Sequence, residues 1–471
     1  MNRSIPLRLA ALALAVPLAA CTVGPNYVRP DATVTPTYKE SGDWKTATPA
    51  DQFPRGEWWR IYDDDELARL EAEATAENQT IQVAAANYRA AKTLVDQARA
   101  GLFPAVGVGV GASRGNSNAS ATSGVRNSVT ATVDATWEVD LWGKVRRAVE
   151  ASEANAQASA ADVESVRLSI QAELAIAYFS LRVSDSGQRL LDSTVEAYTQ
   201  SLALTTNRYN AGVAARSDVV QAETQLKSAQ AQAIDNRATR ATFEHAIAVL
   251  TGRAPAQFAL PVANDLPVPP DVPPGLPSQL LERRPDIASA ERRMAAANAQ
   301  IGVATAAFYP TINLAASGGF GSSGLGNLFS LSNRFWSIGA NLAEPLFDAG
   351  LRKAQRDQTI AQYDASVANY RQTVLAGFQE VEDNLATLAV LKDESDVQQQ
   401  AVESARHSLE LINNQYKAGI VDFLNVVAAQ TVLFNNERTL VILRGRQWQS
   451  NVTLVKALGG GWDAHQLAAV K

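Results

Sequence analysis

The chain has 471 residues, 46 % of them hydrophobic, and a formal net charge of −6. That length suffices for several cores, and the charge balance is too acidic to track a nucleic-acid backbone. Cys21 is the only cysteine, and the three histidines, His245, His407 and His465, stand far apart, so neither an internal disulfide nor a His/Cys metal site is expected.

Residues 1–20 have the form of an export signal. Arg3 and Arg8 flank the start of an apolar run, Leu9 to Ala20. The run is too short for a spanning helix, which needs about 20 apolar residues. It ends Leu18-Ala19-Ala20-Cys21, which resembles a bacterial lipobox, where the cysteine becomes the lipidated first residue. Ordinary cleavage after Ala20 is the alternative. Thr22 follows, where an aspartate would favour inner-membrane retention, so a lipid-anchored place in the outer membrane is expected. Residues 21–62 form an extended N-terminal segment.

The chain then repeats itself at a spacing near 206 residues. Gly101-Leu102-Phe103-Pro104 returns as Ala307-Phe308-Tyr309-Pro310, and Arg208-Tyr209-Asn210-Ala211-Gly212-Val213 as Gln415-Tyr416-Lys417-Ala418-Gly419-Ile420. The first repeat, 63–255, holds a helix, two strands within about 105–139, a long helix 144–209 and a return helix 216–250. The second, 277–458, holds a helix, two strands within about 311–345, a long helix 351–416 and a return helix 422–458. A proline-rich linker, 256–276, joins them, and 459–471 is a tail.

Ser128 to Val139 alternates strictly, with Val129, Ala131, Val133, Ala135 and Trp137 on one face and Thr130, Thr132, Asp134 and Thr136 on the other. Val106, Val108 and Val110 alternate with glycines. Ile312, Leu314 and Ala316 repeat the design, as do Trp336, Ile338, Ala340 and Leu342. Arg114 to Asn127 and Gly318 to Asn333 read as loops. Such strands suit either a transmembrane barrel, with Val133, Trp137, Trp336 and Ile338 facing lipid, or a half-exposed soluble sheet. The export signal and the rods favour the membrane.

Each long helix runs about 66 residues without proline, on the order of 100 Å at about 1.5 Å per residue. Val163, Val166, Ile170, Leu174, Ala177 and Leu181 share their spacing with Val367, Tyr370, Val374, Phe378, Val381 and Leu385. The period, near 3.5, predicts coiled-coil-like packing. Gly212 and Gly419 mark the reversals. Four strands cannot close a barrel, since single-chain barrels start at about eight. Unclosed edges in lipid leave backbone groups unpaired, so a spanning chain must oligomerise.

Cys21-Thr22-Val23-Gly24-Pro25-Asn26-Tyr27, Glu57-Trp58-Trp59 with Asp63-Asp64 and Leu67, Arg283-Arg284-Pro285-Asp286-Ile287 with Ala290-Glu291, and Leu458-Gly459-Gly460-Gly461 resemble the outer membrane factor (TolC-like) family, in its lipoprotein efflux branch. The resemblance spans nearly the whole mature chain. It implies an α+β membrane protein: a homotrimer with a 12-stranded β-barrel in outer-membrane lipid, a periplasmic helical tunnel and a mixed equatorial belt. It also implies a periplasmic adaptor and an inner-membrane RND-type transporter as partners in drug efflux.

No nucleophile motif, phosphate loop or metal cluster is present, so no enzyme activity and no cofactor are expected. Function is expected at the periplasmic tips, Gly212, Val213, Gly419 and Ile420, where the adaptor would also dock. Gate candidates are Arg216, Asp218, Gln221, Asp422, Leu424 and Ala428. Relatives often carry an aspartate where Ala428 stands, so an acidic gate would have to move to Asp218 and Asp422, or the gate is mainly apolar. Helix N-capping is the plain alternative for both aspartates. A type I protein-secretion conduit and a non-conducting trimeric coiled-coil envelope protein are the rival functions.

Overall fold

The computed structural model describes residues 22–31, 34–41, 56–117, 124–263, 267–272 and 283–462. The signal and Cys21 lie outside the described residues, as do 273–282 and 463–471. The elements are α1 (Asp65–Glu77), α2 (Gln79–Ala100), β1 (Ala105–Ser117), β2 (Gly124–Glu138), α3 (Lys144–Asn210), α4 (Arg216–Leu250), α5 (Pro285–Ala306), β3 (Thr311–Ser322), β4 (Arg334–Ala343), α6 (Leu351–Lys417) and α7 (Phe423–Ala457).

The chain packs as two compact units, and neither is one repeat. The first takes residues 1–32, 86–160 and 289–372; the second takes 33–85, 161–288 and 373–471. The units of packing therefore cut across the two sequence repeats. Each long helix contributes to both units, and the strands of both halves join one sheet.

In the first unit the four strands form an antiparallel sheet in the order β1-β2-β3-β4. Three strand limits differ from expectation. β1 runs on to Ser117 and β2 begins at Gly124; Gly318 to Ser322, read as loop, is the end of β3. Glycine, serine and asparagine weaken a strand taken alone. Here the backbone ladder continues regardless: Val133 pairs with Gly318, and Phe320 with Arg334.

Both strand pairs hand over to a long helix by the same device. The Asp140 carboxylate accepts the N–H groups of Val145 and Arg146, at 3.0 and 2.9 Å, and the Arg146 guanidinium at 3.1 Å. Asp348 accepts the N–H of Gly350 at 3.0 Å and the Arg352 guanidinium at 2.6 Å. A carboxylate here satisfies orphan donors and meets the positive helix end. The Arg352 bond holds the Asp348 carboxyl below its usual range.

The second unit is built on aromatic residues. Trp58, Trp59 and Tyr62, in a short turn before α1, are buried with Tyr178, Phe179 and Trp448. Phe179 stacks on Trp448 with centroids 3.8 Å apart. Two of the indole N–H groups find acceptors, Trp58 on Gln171 and Trp448 on the Pro267 carbonyl, while the buried N–H of Trp59 has none among the described residues. The proline-rich segment after α4 is pinned by Phe258, Leu260 and Val272, all buried in this core. Pro285 opens α5, and Arg284 beside it donates to Asp286 at 2.7 Å and Glu380 at 2.6 Å. The apolar helical stripes face inward, with Leu174, Leu181, Val381 and Leu385 at 0 % exposure.

Candidate functional site

The second unit carries both helix reversals, and they are built alike. After α3 the Val213 N–H reaches the Arg208 carbonyl and the Gly212 N–H the Tyr209 carbonyl; after α6 the Ile420 N–H reaches Gln415 and the Gly419 N–H reaches Tyr416. Each is a Schellman stop. It places Gly212 and Gly419 at φ 76°, a left-handed conformation that side-chain-bearing residues avoid. Val213 and Ile420 follow, 62 % and 72 % exposed, so both turns present an apolar residue to solvent.

The hairpins differ beneath the turns. Tyr416 is buried, with the Arg208 guanidinium 4.7 Å from its ring centroid and Phe423 at 5.5 Å. Arg208 also donates to the Lys417 carbonyl at 3.3 Å. Tyr209, its counterpart in the repeat, is half-exposed, with Arg216 5.8 Å above its ring. Ala222, Phe423, Val426 and Val427 complete a small core with Tyr416, and Gln225 donates to Thr431 at 3.3 Å across the two return helices. Arg208 therefore ties the first hairpin to the second. The repeat aligns Tyr209 with Tyr416 and so hides this difference; Arg208 against Gln415 at the preceding position is its one visible trace.

Neither aspartate caps its helix. Asp422 occupies the N-cap position of α7 without a side-chain bond to the helix N–H groups. Asp218 lies inside the first turn of α4, whose N-cap is Ala215, and its carboxylate accepts the Ser217 hydroxyl at 3.4 Å. Asp422, Arg216, Leu424 and Ala428 are exposed, and Asp218 and Gln221 are half-buried. Leu424, Ala428 and Val432 form an exposed apolar stripe at four-residue spacing on α7.

In the first unit the register settles which strand residues share a face, because direct partners lie on the same side. Val108, Val133, Gly318 and Trp336 form one row, and Ala135, Ala316 and Ile338 the next. Val133, Trp336 and Ile338 are 52 %, 74 % and 78 % exposed. Trp137 is half-buried, its indole N–H on the Leu102 carbonyl at 3.2 Å. The opposite face is polar at its centre, where Asp134 accepts hydroxyls from Thr132 at 2.7 Å and Ser317 at 2.6 Å.

The family model described as outer membrane efflux protein matches residues 70–253 and 276–460. The chain belongs to the outer membrane efflux protein family. It is 33 % identical to the toluene efflux pump outer membrane protein TtgC of Pseudomonas putida over 466 residues, 96 % of each chain. The antibiotic efflux pump outer membrane protein ArpC of Pseudomonas putida is 33 % identical over the same coverage. Among solved structures the outer-membrane channel OprN is similar, with a TM-score of 0.88 and 30 % identity over 94 % of this chain and 100 % of that one. The chain is thus an outer-membrane efflux duct with the α+β fold of TolC-like channels, in a family of ducts and not of enzymes.

Proposed function

We propose that the chain is the exit-duct subunit of a tripartite pump, passively conducting toxic organic compounds outward. It would act as a homotrimer, with a periplasmic adaptor and an inner-membrane RND-type transporter as partners. The observation that carries this reading is one sheet with two open edges, β1 and β4, in a chain with two glycine-stopped helix hairpins. Three copies joined edge to edge give twelve strands and leave no backbone group unpaired in lipid. The polar face bearing Asp134 then lines the lumen, and Val133, Trp137, Trp336 and Ile338 meet lipid. Cys21 is the lipidated residue that anchors the mature chain.

The periplasmic end closes at the hairpins. Val213 and Ile420 are the adaptor contacts. Leu424 and Ala428 make one side of the gate apolar, while Arg216, Asp218, Gln221 and Asp422 supply its polar side. The relatives' names, toluene and antibiotic pumps, support apolar organic compounds as substrates. Deleting the gene is expected to sensitise the host to toluene and several antibiotics. Complementation with wild-type chain restores resistance, and an unchanged panel after deletion overturns the efflux reading.

A further inference from the structure

The apolar face of the sheet carries two grooves in line. The first, about 500 Å³, is lined by Val108, Val133, Gly318, Phe320, Phe329 and Trp336, with Arg334 at its end. The second, about 400 Å³, runs on between Trp137, Leu314, Ala316 and Ile338. Gly318 opens the first: Val133 flanks it on one side and Trp336 on the other, and the missing side chain leaves a gap between them. Phe329, from the connection between β3 and β4, folds back onto Phe320 at 5.5 Å and walls the groove. Leu314 and Phe320 lie six residues apart on β3, roughly 20 Å at about 3.3 Å per residue. One leaflet of a hydrocarbon core about 30 Å thick is comparable.

The lining contains one charge, the Arg334 guanidinium, and no carboxylate. Arg334 begins β4 directly after the connection, at the end of the sheet that faces outward when the helices lie in the periplasm. A leaflet-length apolar groove ending in a cation complements an acyl chain that carries an anion at its head. We propose that this groove seats an acyl chain of a phosphorylated glycolipid of the outer leaflet, with its phosphate on Arg334. This rests on the lipid-facing reading of the strands.

The test uses the full-length protein and hexa-acylated bisphosphoryl lipid A, with the dephosphorylated lipid as control. Native mass spectrometry in detergent is expected to show lipid A retained by the wild type. Arg334→Gln weakens retention roughly tenfold, the loss of one charge-assisted contact worth about 1.4 kcal/mol, and leaves the dephosphorylated control unchanged. Gly318→Leu fills the groove and abolishes retention of both. A Cβ at Gly318 meets only ordinary contacts, the Phe335 carbonyl at 3.8 Å and Trp336 at 3.9 Å, so the backbone accepts a side chain here, and an unchanged heat-stable oligomer on gels checks that the variant folds. Equal retention by both variants overturns the site. Separately, in vesicles of dibrominated phosphatidylcholine, Trp336→Phe is expected to remove a quenched share of the fluorescence. Absence of any quenched Trp336 signal overturns the lipid-facing reading itself.

Discussion

Glu71, on α1, is fully buried, and neither carboxylate oxygen has a hydrogen-bond partner among the described residues. Burial raises its pKa well above the ordinary value of 4.5, because a bare charge in an apolar core is strongly disfavoured. The folded state therefore keeps a proton that the unfolded chain loses. Between the two pKa values the native state binds more protons, so stability is full below about pH 4.5 and falls as pH rises above it. Glu71→Met removes the titration at similar volume. Its melting temperature is expected to exceed that of the wild type at pH 7 and to converge with it at pH 4; parallel curves would refute a protonated Glu71.

Arg208 shows what the helical elements add to the reversals. Its contacts, a ring face and a carbonyl, join two hairpins that the sequence presents as equal copies. A cation–π contact and a hydrogen bond together contribute about 1.5 kcal/mol. If the closed end depends on them, Arg208→Ala shifts the open-to-closed ratio about tenfold. Single-channel recording checks this: open probability rises in the variant, and an unchanged record leaves Arg208 a packing residue only. The long helices and their glycine stops were readable from sequence because periodicity and chain reversal are local properties. The burial of Tyr416 against the exposure of Tyr209 was not, since it depends on which neighbour reaches over each ring. The same limit explains Gly318 to Ser322, where tertiary pairing extends a strand through residues that by themselves favour a loop, and Asp422, where a favoured capping residue makes no capping bond.

At the scale of the whole molecule, the sheet has one apolar face, and the proposed barrel turns that face to lipid. A lysine at Ile338 in the lipid-facing arrangement costs about 2–4 kcal/mol, and a lysine on the lumen face costs little. Ile338→Lys is therefore expected to lose heat-stable oligomer on gels, whereas Ser337→Lys, its neighbour on the other face, retains it. The reverse ranking would turn the sheet inside out. Strand alternation revealed the two faces in the sequence, but the split into two interleaved units was hidden there. A contact between residues hundreds of positions apart leaves no periodic trace.

The pairing of β2 with β3 also has a consequence in time. The β1–β2 hairpin has all its residues soon after they emerge, while β2 finds β3 only about 180 residues later, as Ala135 paired with Ala316 shows. Closing so long a loop is slow, and until then an apolar ribbon waits with an unpaired edge. The chain is expected to need an escort during its transit, and slowed synthesis after residue 138 is expected to raise its loss to proteolysis.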